Sequence, residues 1–177
     1  MSKTHEVVVY TDEPSFDPNV MTEIGYVEEL STKKKIASIV YCRRMYALHG
    51  QHTSLQRYGM FCEYEIHLDD LYFGLLKRNG SVFEAMIMHE TGHVVNGDYQ
   101  RSSGGAEAMR NRKALIEQNM VAEEELQADR FAAEQCGKKI VKAMLDQIID
   151  TRKRRGYGPE DLGIREAELR KKAVNRL

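Results

Sequence analysis

Met88-His89-Glu90-Thr91-Gly92-His93 sets two imidazoles and a carboxylate into six residues, an H-E-x-x-H pattern within an apolar run. On a helix, His89 and His93 stand four residues apart and project from one face. That spacing suits two ligands of one tetrahedral Zn²⁺, with Glu90 angled toward a water in an open coordination position. The pattern alone is only moderately specific. A working site also requires a helix around the motif, a third protein ligand and a place to hold a substrate.

The helix is predicted directly. Asn79-Gly80-Ser81 breaks the preceding segment, and Ser81 with Glu84 makes a capping box. Val82, Phe83, Met86, Ile87, His89, Glu90, His93 and Val94 keep the spacing of a helix face turned inward. Asn96-Gly97 ends it, with Gly97 supplying a left-handed C-terminal cap.

Candidates for the third ligand are His52, His67, Glu123, Glu124, Glu125 and Asp129. Glu125 stands out because Ala128 and Asp129 follow it in E-x-x-A-D form, and Glu125, Asp129 and Ala132 share a helix face. An acid on a small-residue, packed face is costly unless it is paired or bound to metal. Asp129, one turn on, is placed to accept the second N–H of a ligand histidine or to cap nearby backbone. The bland alternatives are ordinary helix histidines, and a solvated acidic run for Glu123 to Glu125. His67 reads as a polar strand residue.

H-E-x-x-H followed by a helical E-x-x-A-D resembles the gluzincin metallopeptidases. Glu125-Leu126-Gln127-Ala128-Asp129-Arg130-Phe131-Ala132-Ala133-Glu134 is similar to two branches of them. One is the HtpX-like membrane-tethered proteases, and the other is the soluble ImmA/IrrE-like proteases that act on repressors. The chain lacks the membrane spans of the first. It has Gln135-Cys136-Gly137 where the second carries a Leu-Leu-Met-Pro-type ending. The resemblance covers about residues 59–137. It implies one zinc ion held by His89, His93 and Glu125, with Glu90 as catalytic base.

The implied chemistry is peptide hydrolysis. Two neutral imidazoles and one carboxylate leave the Zn²⁺ site net positive, lowering the pKa of bound water toward about 7. Glu90 takes a proton from that water and delivers it to the leaving amine. A donor should stabilise the oxyanion, and Tyr99, Arg130, Tyr157 and His67 are all conceivable. The stretch Met60–Leu68, read as an edge strand before the motif helix, is the expected surface for pairing with extended substrate. The competing reading is a zincin-fold binding or regulatory module with a metal site and little or no hydrolysis. Retention of Glu90 beside the histidines favours the enzyme.

The elements that must position these groups alternate in period along the chain. His5–Tyr10 reads as a strand, and the stretch up to about Leu30 as loop. Ser31 or Thr32 caps a predicted helix over Lys33–Leu48, stopped by Gly50. Gly59–Leu68 alternates as a strand, and Asp69–Gly74 is a turn or short helix. Residues 100–112 read as a surface loop, followed by a helix over Lys113–Cys136 and another over Lys138–Arg155. Pro159-Glu160-Asp161 opens a last helix ending near Leu177. The expected fold is α+β and zincin-like, a small, mostly antiparallel sheet with an active-site helix and several further helices. A single domain over 1–177 is expected, with a motif-bearing core at about 59–137 and a helical extension at 138–177.

Composition bounds the rest. The 177 residues carry 42% hydrophobic and 30% charged side chains with a net charge of −1. That balance gives no push toward nucleic acid or acidic membranes, and Arg152 to Arg155 read as a solvated helix C-terminus. No apolar run approaches the roughly 18 residues of a membrane span, and the N-terminus shows no signal-peptide core. Three dispersed cysteines argue for a reducing, cytoplasmic setting and against cysteine-bound zinc. The expected partner is a protein or peptide substrate, with a regulatory protein as one option.

Overall fold

A computed structural model describes residues 3–10, 22–41, 52–58, 61–68, 70–98 and 105–177. Five strands are present among the described residues: β1 (His5–Val9), β2 (Thr22–Glu29), β3 (Lys34–Tyr41), β4 (His52–Tyr58) and β5 (Phe61–Leu68). They form one sheet in the order β1-β2-β3-β5-β4. The β3–β5 pair is parallel and the other pairs are antiparallel. The helices are α1 (Asp70–Arg78), α2 (Gly80–Val95), α3 (Gly105–Glu117), α4 (Glu123–Cys136), α5 (Lys138–Arg154) and α6 (Leu162–Arg176). The α+β class and mostly antiparallel sheet are as the sequence predicts. Among the described residues, no helix is long and apolar enough to cross a membrane.

Where a helix is expected from Lys33, the chain instead folds β2 and β3 into a hairpin. Ile36, Ile39 and Val40 satisfy a helical period, but Ala37 to Tyr41 form an unbroken buried run. Continuous burial of β-branched and aromatic residues suits an interior strand equally well. Lys33 takes the turn with φ of 58°. The Thr32 hydroxyl, expected to cap a helix, donates to the Glu29 carboxylate at 2.6 Å. Residues 42–48 of the expected helix lie outside the described residues, whereas 22–29 of the expected loop are strand.

β5 is not an edge strand. Ile66 pairs with Ile39 on one side and Thr53 on the other, so both flanks are used. The parallel neighbour, β3, is what moves it inward, and β4 takes the outer position beside it. Pairing of substrate along Tyr64–His67 is therefore closed, since those residues pair with β3 on one side and β4 on the other.

The helical boundaries shift for identifiable reasons. Asn79 caps α2, its Oδ1 accepting from the Val82 N–H at 3.3 Å, while Ser81 lies inside the helix. Asn is as good a cap as Ser and comes earlier in the chain. Glu84, freed from the expected capping box, meets Lys3 at 2.5 Å. Gly97 closes the far end with φ of 70°, as predicted. The expected loop 100–112 is helical from Gly105, where Ala106-Glu107-Ala108-Met109-Arg110 are strong helix formers. The helix expected over Lys113–Cys136 is two helices, split where Asn119 turns left-handed at φ of 59° and the Met120 N–H returns to the Leu115 carbonyl.

One apolar core joins the sheet to the helices. Ile24, Val27, Ile39, Ile66 and Leu68 meet Phe83, Met86 and Ile87 of α2, with Val141, Met144 and Leu145 of α5 and Ile164 and Val174 of α6 in the same cluster. At about 25 cal/mol per Å² of apolar surface, each such fully buried side chain contributes about 1.5–3 kcal/mol. α2 is thereby fixed from several directions, and the two C-terminal helices are part of what fixes it.

Candidate metal centre

The motif helix and α4 meet at Gly92 and Ala128. A Cβ added to Gly92 would stand 2.8 Å from Ala128 Cα and 3.2 Å from its carbonyl oxygen. Only glycine allows that approach without moving backbone. It lets short acidic side chains on α4 reach the histidines of α2. Thr91, fully buried on the same helix, turns its hydroxyl back to the Ile87 carbonyl at 2.8 Å and needs no other partner.

His89, His93 and Glu125 come together as a buried group able to hold a metal ion, their ligand atoms all within 4.8 Å of one another. The two Nε2 atoms lie 3.3 Å apart. His89 Nε2 is 3.4 Å from Glu125 Oε2, and His93 Nε2 is 4.0 Å from Oε1. Four tetrahedral bonds of about 2.0–2.1 Å place neighbouring ligand atoms about 3.3 Å apart. The two imidazole nitrogens match that spacing, whereas the 3.4 and 4.0 Å approaches are made by different Glu125 oxygens, so the carboxylate must turn to offer one oxygen to both.

The opposite ring nitrogens are held by carboxylates. His89 Nδ1 faces Asp129 Oδ1 at 3.0 Å, and His93 Nδ1 faces Asp98 Oδ2 at 2.8 Å. A carboxylate on Nδ1 keeps that nitrogen protonated and leaves the Nε2 lone pair for a metal. Asp129 does what its position one turn after Glu125 predicts. Asp98, immediately after the Gly97 cap, is an addition: only its distance of five residues from His93 hinted at it.

The other additions come from α6 and α3. Arg170 Nε and Nη2 donate to Asp129 Oδ2 and Oδ1 at 2.8 and 2.6 Å, and Nη1 lies 2.9 Å from Glu125 Oε2. Its Nη2 is also 3.3 Å from His89 Nε2. Arg112 of α3 reaches Glu125 Oε1 at 3.0 Å and grips Glu166 of α6 through Nε and Nη2 at 2.6 and 2.5 Å. The result is an alternating charge chain, Glu166–Arg112–Glu125–Arg170–Asp129–His89. A sequence signal for Arg170 exists: it interrupts the buried stripe Ile164–Ala167–Val174, a place where a charge must have a partner.

These contacts set the protonation states. Burial disfavours the Glu125 carboxylate, yet Arg170, His89 and Arg112 hold its pKa well below the usual value. Asp129 is likewise opposed by burial but brought down to about 2, chiefly by Arg170 and His89. For His89, burial and Arg170 push the pKa down, and Asp129 with Glu125 overcomes them, raising it to about 9. Without an ion the cluster holds a proton there, which a metal has to displace.

The remaining candidates fall elsewhere. Glu90 is buried beside His89 in sequence on the same helix. Glu123 and Glu124 are exposed in the first turn of α4. His67 is bonded to Glu65 on β5 at 2.8 Å, and His52 pairs opposite His67 on β4. Of the oxyanion-donor candidates, Arg130 is exposed, Tyr157 lies under the Arg152 guanidinium, and Tyr99 lies outside the described residues. Compared with known family models, curated proteins and solved structures, the chain matches none of them.

Proposed function

We propose that this chain is a zinc-dependent endopeptidase of the gluzincin type, with His89, His93 and Glu125 as zinc ligands and Glu90 as general base. The observation that carries the reading is the pair of Nε2 atoms 3.3 Å apart, each on a ring whose Nδ1 is held by a carboxylate. That is how ligand histidines are commonly supported, and the convergence of the two Nε2 atoms sets this pair apart from a core histidine such as His67, whose Nε2 is taken by Glu65. Two imidazoles and a carboxylate form a borderline donor set that suits Zn²⁺, and three protein ligands leave a fourth position open. When bound, the ion supplies Lewis acidity and a water acidic enough to be a nucleophile near neutral pH.

The chain's own groups do the rest. Glu90, next to a ligand and buried, accepts the proton of the attacking water and returns it to the leaving amine. Asp129 and Asp98 keep both imidazoles in one tautomer. Extended substrate pairs on β4, whose described strand partner is β5 alone. The substrate is a protein or peptide in the same compartment, an intracellular regulatory protein being the class that the resemblance favours.

The second reading is a zincin-fold binding or regulatory module with little or no hydrolysis. The observation favouring it is Arg170, a buried cation already contacting Glu125 and Asp129. One experiment separates the two. Elemental analysis of purified wild type should give one zinc per chain, and Glu125→Ala should give almost none. Wild type should cleave members of a peptide library that Glu90→Gln leaves intact. Stoichiometric zinc without Glu90-dependent cleavage would establish the module instead.

A further inference from the structure

We propose that Arg112 is the substrate-facing donor of this site, a guanidinium that binds the carbonyl oxygen of the bond to be cleaved. Its part in turnover rests on the hydrolase reading above, whereas its ability to bind an anionic oxygen does not. Two arginines touch Glu125, and they differ in one respect. The Arg170 side chain is 6% exposed and fully engaged with Asp129 and Glu125, while that of Arg112 is 39% exposed. Solvent, and therefore substrate, reaches Arg112 and not Arg170.

Arg112 is also aimed. A guanidinium has five N–H donors in a rigid fork. Glu166 takes one on Nε and one on Nη2, while Nη1 stands 3.0 Å from Glu125 Oε1 as an ion pair without a hydrogen bond. The second Nη2 donor and the Nη1 donors make no hydrogen bond among the described residues. Glu166 and Glu125 are themselves buried, at 7% and 9% side-chain exposure, so the fork is anchored on its inner side and open on its outer side. An anchored donor pair costs little reorganisation when negative charge develops on an oxygen, which is the requirement for oxyanion stabilisation. Because Nη1 contacts the carboxylate that also approaches both histidines, the open donors border the cluster. His67 and Tyr157 are engaged with Glu65 and Arg152 instead.

A purely structural Arg112 would neutralise Glu125 and Glu166 and bind nothing. The full chain, zinc-loaded, is titrated with acetate by calorimetry while the ¹⁵N shift of the Arg112 guanidinium is followed. Acetate should shift that signal, and Arg112→Gln should weaken acetate binding at least tenfold, with Arg112→Lys between the two. Zinc affinity should stay within about threefold in Arg112→Lys. On a cleaved peptide, Arg112→Gln should lower kcat by about 10²–10³ with little change in KM. Equal acetate binding by wild type and Arg112→Gln, or no acetate-dependent shift in wild type, would overturn the proposal. The same titration on metal-free chain reads Arg112 even if zinc never binds, so failure of the hydrolase reading and failure of this one remain distinct. Should Arg112→Gln fail to fold, Glu166→Gln loosens the same fork and is expected to weaken acetate at least threefold; no weakening in it would likewise overturn the proposal.

Discussion

Arg170 on α6 clasps Asp129 on α4 through two hydrogen bonds of 2.8 and 2.6 Å, and Asp129 in turn holds Nδ1 of His89 at 3.0 Å. The last helix of the chain is thereby tied to a candidate ligand of the first buried helix. Arg170 also stands 3.3 Å from His89 Nε2, so it acts as the local cation where a metal would add another.

Arg170 and a metal ion should therefore compete. Arg170→Met removes the charge and keeps much of the volume. It leaves Glu125 and Asp129 buried with one counter-charge fewer, which costs about 3–5 kcal/mol when a buried pair is broken from one side. The metal-free variant should melt lower than wild type, and zinc should raise its Tm by more than it raises that of wild type. Thermal melts with and without zinc measure both. An equal zinc-induced shift in the two proteins would show that Arg170 and the ion do not share the site.

The proton on His89 gives the competition a pH dependence. Its folded pKa is raised to about 9 from the usual 6.5, so the bound proton stabilises the metal-free fold. That contribution is complete below about pH 6.5 and is lost as pH rises through about 9. Zinc binding must expel the proton, so zinc affinity should rise about tenfold per pH unit up to about pH 9 and then level off. Near pH 7, calorimetry in buffers of different ionisation enthalpy should show about one proton released per zinc from this ring. Asp129 runs the other way. Its pKa is lowered to about 2, so its contribution is full above its usual 3.8 and is lost only as pH falls through about 2. The metal-free protein should accordingly keep the α4–α6 contact, and its far-ultraviolet signal, to near pH 3.

Asp98 tests the support of the second histidine. It meets His93 Nδ1 at 2.8 Å and sits just beyond the Gly97 cap, so replacing it leaves the helix intact. Asp98→Ala should weaken zinc binding about 10- to 100-fold, as loss of a ligand's supporting carboxylate commonly does. Its metal-free Tm should change little. A competition titration against a chelator dye gives the affinity directly, and unchanged affinity would remove Asp98 from the site.

The contrast between what was legible and what was not follows the range of the interactions. The helix carrying His89, Glu90 and His93 and its Gly97 cap are local: their placement depends on residues within one or two helical turns, and was legible for that reason. Glu125 and Asp129 were reachable because their own spacing marks a packed face. The β2–β3 hairpin was not, since Ile36, Ile39 and Val40 fit a helix and an interior strand equally, and only the β3–β5 pairing decides between them. Arg112, Glu166 and Arg170 acquire their roles from packing across more than forty residues of chain, as with Arg112 and Glu166 at a separation of 54. A buried charge inside an apolar stripe says that a partner exists without saying which one.

Gly92 and Ala128 make the whole arrangement falsifiable by a single methyl group. The Cβ of Gly92→Ala would stand 2.8 Å from a backbone atom of α4, with no flexible side chain to yield. The helices must separate, and overpacking of this kind costs about 1–3 kcal/mol. Separation also carries Glu125 away from His89 and His93. Gly92→Ala should therefore lower Tm and weaken zinc binding together, by more than its stability loss alone explains at temperatures where the variant is folded. Ala128→Gly keeps the approach open and should cost about 1 kcal/mol through helix propensity while leaving zinc affinity near that of wild type. If Gly92→Ala retained full zinc affinity in its folded state, the contact between α2 and α4 would not be what brings the three ligands together.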